Sequence, residues 1–222
     1  MKKLFVEAIA KFLAGVLLTG ALIFLPAGTL EYKNGWLLMI VLFVPMFVAG
    51  IVMLIKNPKL LERRLKTNEK QDEQRMVINS SGVMFVAGFV VAGLNCRFEW
   101  YMLPGWICRI AAVIFIVAYL FYAEVLRENS YLSRIVEVDE GQQLIDKGLY
   151  GVVRHPMYLS TLFLFLTIPI ILGSLYSFVI FLAYPFIIVY RIINEERSLE
   201  KELEGYMEYK EKVKYRLIPF VW

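Results

Sequence analysis

Long runs of apolar residues constrain this chain more than anything else in it. They cover residues 12–25 (extending back to Leu4), 36–55, 77–94, 106–126, 157–172 and 176–193. A helix needs roughly 20 apolar residues to cross the hydrocarbon core of a bilayer. The apolar residues are continuous rather than alternating, which excludes a closed β-barrel. At 59% hydrophobic and 20% charged, the chain is too apolar for a soluble domain of its length. The expected fold is all-α: a polytopic membrane protein with six transmembrane helices and a cytoplasmic C-terminal amphipathic helix. It forms a single integral membrane domain. Residues 1–126 supply four spans. Residues 127–222 supply a loop, a helical hairpin and the C-terminal helix.

The first run also resembles a secretory signal, with Lys2 and Lys3 before it and small residues near Ala27 and Gly28. It is long for a signal core and fits an even count of spans, so it is read as a helix. With six spans, only Lys33, Arg97 and Arg109 among the 24 Lys and Arg residues fall opposite the termini. The positive-inside rule therefore places both termini in the cytoplasm. The net charge of +4 is accounted for by this asymmetry, and no nucleic-acid partner is expected. Cys96 and Cys108 flank the third loop, where they could pair; small apolar residues in helices is the reading taken.

Between the second and third runs lies the charged stretch 56–75, with Leu60, Leu61 and Leu65 as a weak apolar stripe. A short amphipathic helix on the membrane surface and a solvated linker both fit it. Gly82, Gly88 and Gly93 in the third run suit close helix packing. Pro45 is tolerated inside the second span, and Pro169 and Pro185 are expected inside the fifth and sixth. The loop 129–155 is long, and such loops are usually functional or disordered. It carries too many apolar residues for a solvated linker. An extended segment is expected at 135–139, a turn at 139–141 and a helical turn at 142–146. Beyond the sixth run an amphipathic helix is expected to about Lys214, with Leu199, Leu203, Tyr206 and Val213 on its buried side.

Polar chemistry concentrates in two stretches. The first, GLYGVVRHPMY at 148–158, holds the chain's one histidine, His155. Pro156 suits a first helical turn with His155 near the N-cap. The helix start then offers N–H groups and a positive dipole end to an anion. The second, RIINEE at 191–196, ends the hairpin that follows. Arg191 and Glu195 share a helix face at i, i+4 spacing and can pair. Taken singly, these charges also read as interface anchors, and His155 as a helix cap.

In combination they resemble the isoprenylcysteine carboxyl methyltransferase family, and the wider membrane methyltransferase group that includes phospholipid N-methyltransferases. The pattern is G-x-Y-x-x-x-R-H-P-x-Y, a hairpin, R-x-x-x-E-E, then Y-x-x-Y with a basic, apolar and Pro-containing ending. Each part is present between residues 137 and 219. One departure is Ser160, where the family often has Gly. The resemblance implies S-adenosylmethionine as cofactor, with no metal. It implies a cytoplasmic-side pocket from Gly148, Leu149, Tyr150, Arg154, His155, Pro156 and Tyr158, closed by Tyr206, Tyr209 and Arg216. Glu195 or Glu196 would meet the cofactor's ammonium or adenosine portion. The acceptor would be a lipophilic small molecule or a prenylated peptide, entering from the membrane lipids. Arg191 would hold an acceptor carboxylate, oriented by Glu195. For a phospholipid amine, Glu195 or Glu196 would instead take the proton. Membrane sterol reductases, which use a nicotinamide cofactor, share the hairpin and the Tyr-rich ending, but usually carry Pro-Asn at His155-Pro156. A non-enzymatic membrane scaffold leaves the clustered motifs unexplained.

Overall fold

A computed structural model describes residues 2–66, 72–133, 135 and 141–222. Nine α-helices are present among them: α1 (Lys2–Ala27), α2 (Lys33–Lys56), α3 (Pro58–Leu65), α4 (Asp72–Arg97), α5 (Gly105–Glu128), α6 (Pro156–Ile171), α7 (Leu175–Phe181), α8 (Tyr184–Glu202) and α9 (Tyr206–Lys212). A 3₁₀ turn, Gly148–Gly151, precedes α6. There is no named strand among the described residues, only an isolated bridge between Met102 and Ser174.

Four helices, α1, α2, α4 and α5, are long and apolar enough to cross a bilayer, and Leu175–Glu202 makes a fifth span. The expected sixth, α6, has 16 residues, or about 24 Å at the α-helical rise of 1.5 Å per residue. That is short of the roughly 30 Å hydrocarbon core. The last run is not one helix either. Its ladder breaks at Leu182 and Ala183, and Pro185 lies in the first turn of α8, not inside a helix. Proline lacks the N–H that an inner turn needs, so the first turn suits it.

Side chains outside the bundle stay apolar and exposed, Leu17 at 72% and Val83 at 70%, as lipid contact requires. Inside, Phe115, Phe181, Ile23, Leu38 and Ile168 are almost fully enclosed. Lipid tails are as apolar as leucine, so close packing holds such helices together. At Gly88 a Cβ would run into the Phe181 ring, and at Gly93 it would meet the backbone of α1. These two glycines let α7 and α1 approach α4. Gly82 has open space beside it and plays no such part.

The connections sort by end. At one end the Tyr32 hydroxyl donates to the Leu172 carbonyl, and Leu103 N donates to Gly173 O at 2.9 Å. Cys96 and Cys108 are both free thiols at this end, as the reading taken for them expects. The other end holds α3, the 3₁₀ turn and both motif stretches. Of the two readings of 56–75, the helical one holds over α3, which Asn57 caps at Leu60 N (3.1 Å) and which buries Leu60 and Leu61. Residues 67–71 lie outside the described residues. So do 136–140, which carry most of the expected extended segment and turn. Gln142–Asp146 form no helical turn. The amphipathic helix expected to Lys214 is also two pieces. Helix α8 ends at Glu202, and Gly205, at φ +78°, turns the chain into α9.

Candidate functional site

The site is assembled around the turn that precedes α6. Gly148 has φ +61°, a conformation that L side chains rarely adopt. A Cβ there would also strike the Glu128 carboxylate. Glu128 closes α5 and accepts from Leu149 N at 2.9 Å, which ties the turn to the end of the span. Asn129, the next residue, donates to the Tyr150 hydroxyl at 3.1 Å. The N–H groups of Arg154 and His155 donate to the carbonyls of Tyr215 and Arg216, each at 2.9 Å. His155 is the N-cap of α6 and Pro156 its first residue, as expected, but the imidazole makes no cap bond.

The imidazole turns instead to α8. Glu196 is 2% exposed and sits among three donors. Arg154 Nε donates to its Oε1 at 2.7 Å, and His155 Nε2 lies 3.2 Å from the same oxygen. Arg216 Nε donates to Oε2 at 2.8 Å. Arg154 Nη1 is taken by the carbonyls of Val213 (2.7 Å) and Lys214 (3.0 Å). A buried carboxylate is tolerated only with such charge-assisted partners. This ionic cluster clamps the C-terminal tail and α8 to the start of α6.

One position earlier, Glu195 faces elsewhere. Arg191 Nε donates to the Tyr158 hydroxyl at 2.8 Å, and that hydroxyl donates to Glu195 Oε2. The spacing predicts that Arg191 and Glu195 pair; the structure joins them through Tyr158. The Arg191 guanidinium carbon is also 5.8 Å from the Tyr158 ring centroid, and the His155 and Tyr158 rings stack at 5.7 Å.

Helix α9 forms a further wall. Tyr206, Tyr209 and Val213 pack with Leu144, Leu199 and Leu203. The Tyr209 hydroxyl donates to the Tyr150 carbonyl at 2.7 Å. The buried Tyr206 hydroxyl has no partner among the described residues. Burial pushes the phenols of Tyr150, Tyr206 and Tyr209 well above their ordinary value.

A cavity lies between these pieces. Of the residues named from sequence, Tyr150, Arg154, His155, Tyr158, Arg191, Glu195, Tyr206 and Tyr209 line it. Gly148, Leu149, Pro156, Glu196 and Arg216 are not among the lining residues. Gly148, Leu149 and Pro156 shape the backbone, and Glu196 with Arg216 forms the ionic clamp behind. Sequence reasoning missed Asn129, Tyr131, Ser133 and the stretch Gln142–Ile145, which also line it. The apolar content of the loop was their one visible signal.

The lining fits S-adenosylmethionine chemically. The unpartnered Tyr206 hydroxyl and the carboxylate of Glu195 suit polar groups of an amino acid or ribose. The faces of Tyr150 and Tyr158 suit a sulfonium. No group of three or more metal-ligating side chains occurs among the described residues.

Parts of the sequence and the fold are similar to those of known proteins. Residues 106–204 match the phospholipid methyltransferase family. The fold resembles that of the eukaryotic intramembrane Ras methyltransferase ICMT (isoprenylcysteine carboxyl methyltransferase), with a TM-score of 0.59 over 96% of this chain and 77% of that one. Identity there is 20%, so the likeness is one of fold. A stretch of 85 residues, 37% of this chain, is 35% identical to the Delta(14)-sterol reductase TM7SF2 of Mus musculus. That stretch spans only 20% of the reductase.

The resemblance of this integral membrane chain is thus to the membrane methyltransferase group.

Proposed function

We propose that the chain is an S-adenosylmethionine-dependent membrane methyltransferase acting on a lipophilic acceptor, by O-methylation of a carboxylate like that of an isoprenylcysteine. The observation that carries this is the Arg191–Tyr158–Glu195 relay lining a cavity at one end of an apolar bundle. Both termini are read as cytoplasmic, which puts the cavity within reach of a soluble cofactor.

Tyr150, Tyr158, Tyr206 and Tyr209 would hold the cofactor, with Arg154 at its carboxylate. Bound there, S-adenosylmethionine supplies an electrophilic methyl group. Arg191 binds the acceptor carboxylate and aligns it, and Glu195 and Tyr158 fix the guanidinium's position. Alignment is the main contribution such a site can make, since a carboxylate needs no base. Transfer from a sulfonium to a carboxylate cancels charge, so exclusion of water on substrate binding would favour it.

The match to the phospholipid methyltransferase family supports a second reading, in which Glu195 takes a proton from a lipid amine. The two differ in product. Incubation with methyl-labelled S-adenosylmethionine and paired acceptors, an S-prenylated cysteine and an amine phospholipid, separates them. A base-labile methyl ester on the first supports carboxyl transfer; base-stable label on the second replaces it with amine transfer.

A further inference from the structure

A second cavity lies away from this site, between α1, α2, α3 and α5, with a volume of about 380 Å³. That is more than tenfold the roughly 30 Å³ that one water occupies in the liquid. Its walls are apolar, with Phe12, Phe47, Leu54 and Leu126 among them. Gly50 helps to open it: nothing lies within 4 Å of where its Cβ would be, so the absent side chain leaves room that no other part of the chain fills.

The charged residues in its lining are Lys11 and Arg64, and no carboxylate joins them there. Glu7 accepts from Lys11 Nζ at 2.7 Å, and the Leu65 carbonyl accepts at 2.6 Å. Arg64 has no carboxylate partner among the described residues. Its Nη1 donates to Ser133 O at 3.1 Å, its Nη2 donates to the Tyr122 hydroxyl, and its guanidinium carbon is 5.5 Å from the Tyr122 ring centroid. All of these partners are neutral. These oxygens satisfy its hydrogen bonds, but none of them balances its positive charge, which leaves the guanidinium free to attract an anion. Arg64 also lies 3.7 Å from Met157 Sδ, and Met157 lines the first cavity. This contact stands between the two spaces.

We propose that this groove binds an anionic phospholipid, with an acyl chain along the walls beside Gly50 and the phosphate against Lys11 and Arg64. The groove's apolar wall suits a hydrocarbon tail, and two cations with the single carboxylate neighbour Glu7 suit an anionic headgroup over a zwitterionic one. The Arg64–Met157 contact keeps this lipid apart from the cavity that Arg191 and Glu195 line.

The test uses the full chain, delipidated in neutral detergent and titrated with phosphatidylglycerol or phosphatidylcholine, with retained lipid read by native mass spectrometry. Phosphatidylglycerol is expected to bind in preference. Lys11→Gln should weaken it about fivefold, the equivalent of one basic residue near a membrane surface, and leave phosphatidylcholine unchanged. Gly50→Leu, which places a side chain in open space and favours helix, should reduce retention of both lipids. Melting in lipid-free detergent reports whether each variant folds; if Gly50→Leu does not, Lys11→Gln carries the test. Equal retention of the two lipids, or undiminished phosphatidylglycerol binding by folded variants, overturns the proposal. So does loss of methyl transfer in Gly50→Leu with lipid retention intact, which assigns the groove to the acceptor.

Discussion

Arg154 Nε and Glu196 Oε1 lie 2.7 Å apart with both side chains almost wholly enclosed. The pair fastens the residues before α6 to the helix that carries Arg191 and Glu195. Removing one partner from such a pair strands the other's charge. Glu196→Gln is therefore expected to destabilise the chain by about 3–5 kcal/mol, as a fall in melting temperature in detergent. A double variant that also replaces Arg154 with Met should recover part of that loss. Full additivity of the two changes would contradict the coupling.

Arg191 is assigned to the acceptor half of the site. Arg191→Ala should leave cofactor affinity within about twofold and lower the rate of transfer roughly a hundredfold or more, as loss of an oriented charge contact does. Affinity comes from titration and rate from single-turnover labelling. A parallel collapse of cofactor affinity would move Arg191 to the cofactor half.

Tyr158 links Arg191 to Glu195 through one oxygen. Tyr158→Phe keeps the ring and removes that link. Losing one partner of a buried charged hydrogen bond costs about 1–3 kcal/mol, so transfer should slow by about ten- to a hundredfold. The double variant with Arg191→Ala should then be no slower than Arg191→Ala alone. Independent, multiplying losses would show that the hydroxyl does not act through Arg191.

Tyr206 offers a cleaner probe of the cofactor pocket. Its buried hydroxyl has no partner among the described residues. Tyr206→Phe should leave the free chain as stable or slightly more so, because burying an unpaired hydroxyl is unfavourable. It should weaken S-adenosylmethionine by about fivefold, near the net value of one hydrogen bond. Unchanged affinity would take this hydroxyl out of the pocket.

Gly148 tests the turn. Gly148→Ala forces an L residue to φ +61° and sets its methyl against Glu128. The backbone conformation alone costs about 1–2 kcal/mol. Lower melting temperature with weaker cofactor binding is expected; wild-type values for both would show that the turn relaxes freely.

Much of this was legible in the sequence because it is local. Apolar runs locate α1, α2, α4 and α5, and the motif spacing brings residues 148–158 against 191–196. Other features arise only in three dimensions. The run 176–193 is continuously apolar, so hydropathy conceals the break at Leu182 and Ala183; Pro185 was its sole local sign. Glu195 and Glu196 are neighbours about 100° apart around a helix, and sequence alone leaves their roles interchangeable. Packing separates them, sending Glu195 to Tyr158 and the cavity and Glu196 to Arg154, His155 and Arg216. Glu128 and Asn129 read as an ordinary helix end until the turn at Gly148 folds back on them. The pairing of Arg154 and His155 with Tyr215 and Arg216 is equally remote from any local pattern.

Isothermal titration of the detergent-solubilised chain with S-adenosylmethionine and, separately, with NADPH tests the cofactor assignment most directly. It also separates methyl transfer from the reductase chemistry that the mouse relative's name carries. Saturable binding of S-adenosylmethionine, with no heat from NADPH, is the expected result. Tight binding of NADPH, or a folded chain that takes up no S-adenosylmethionine, would contradict it.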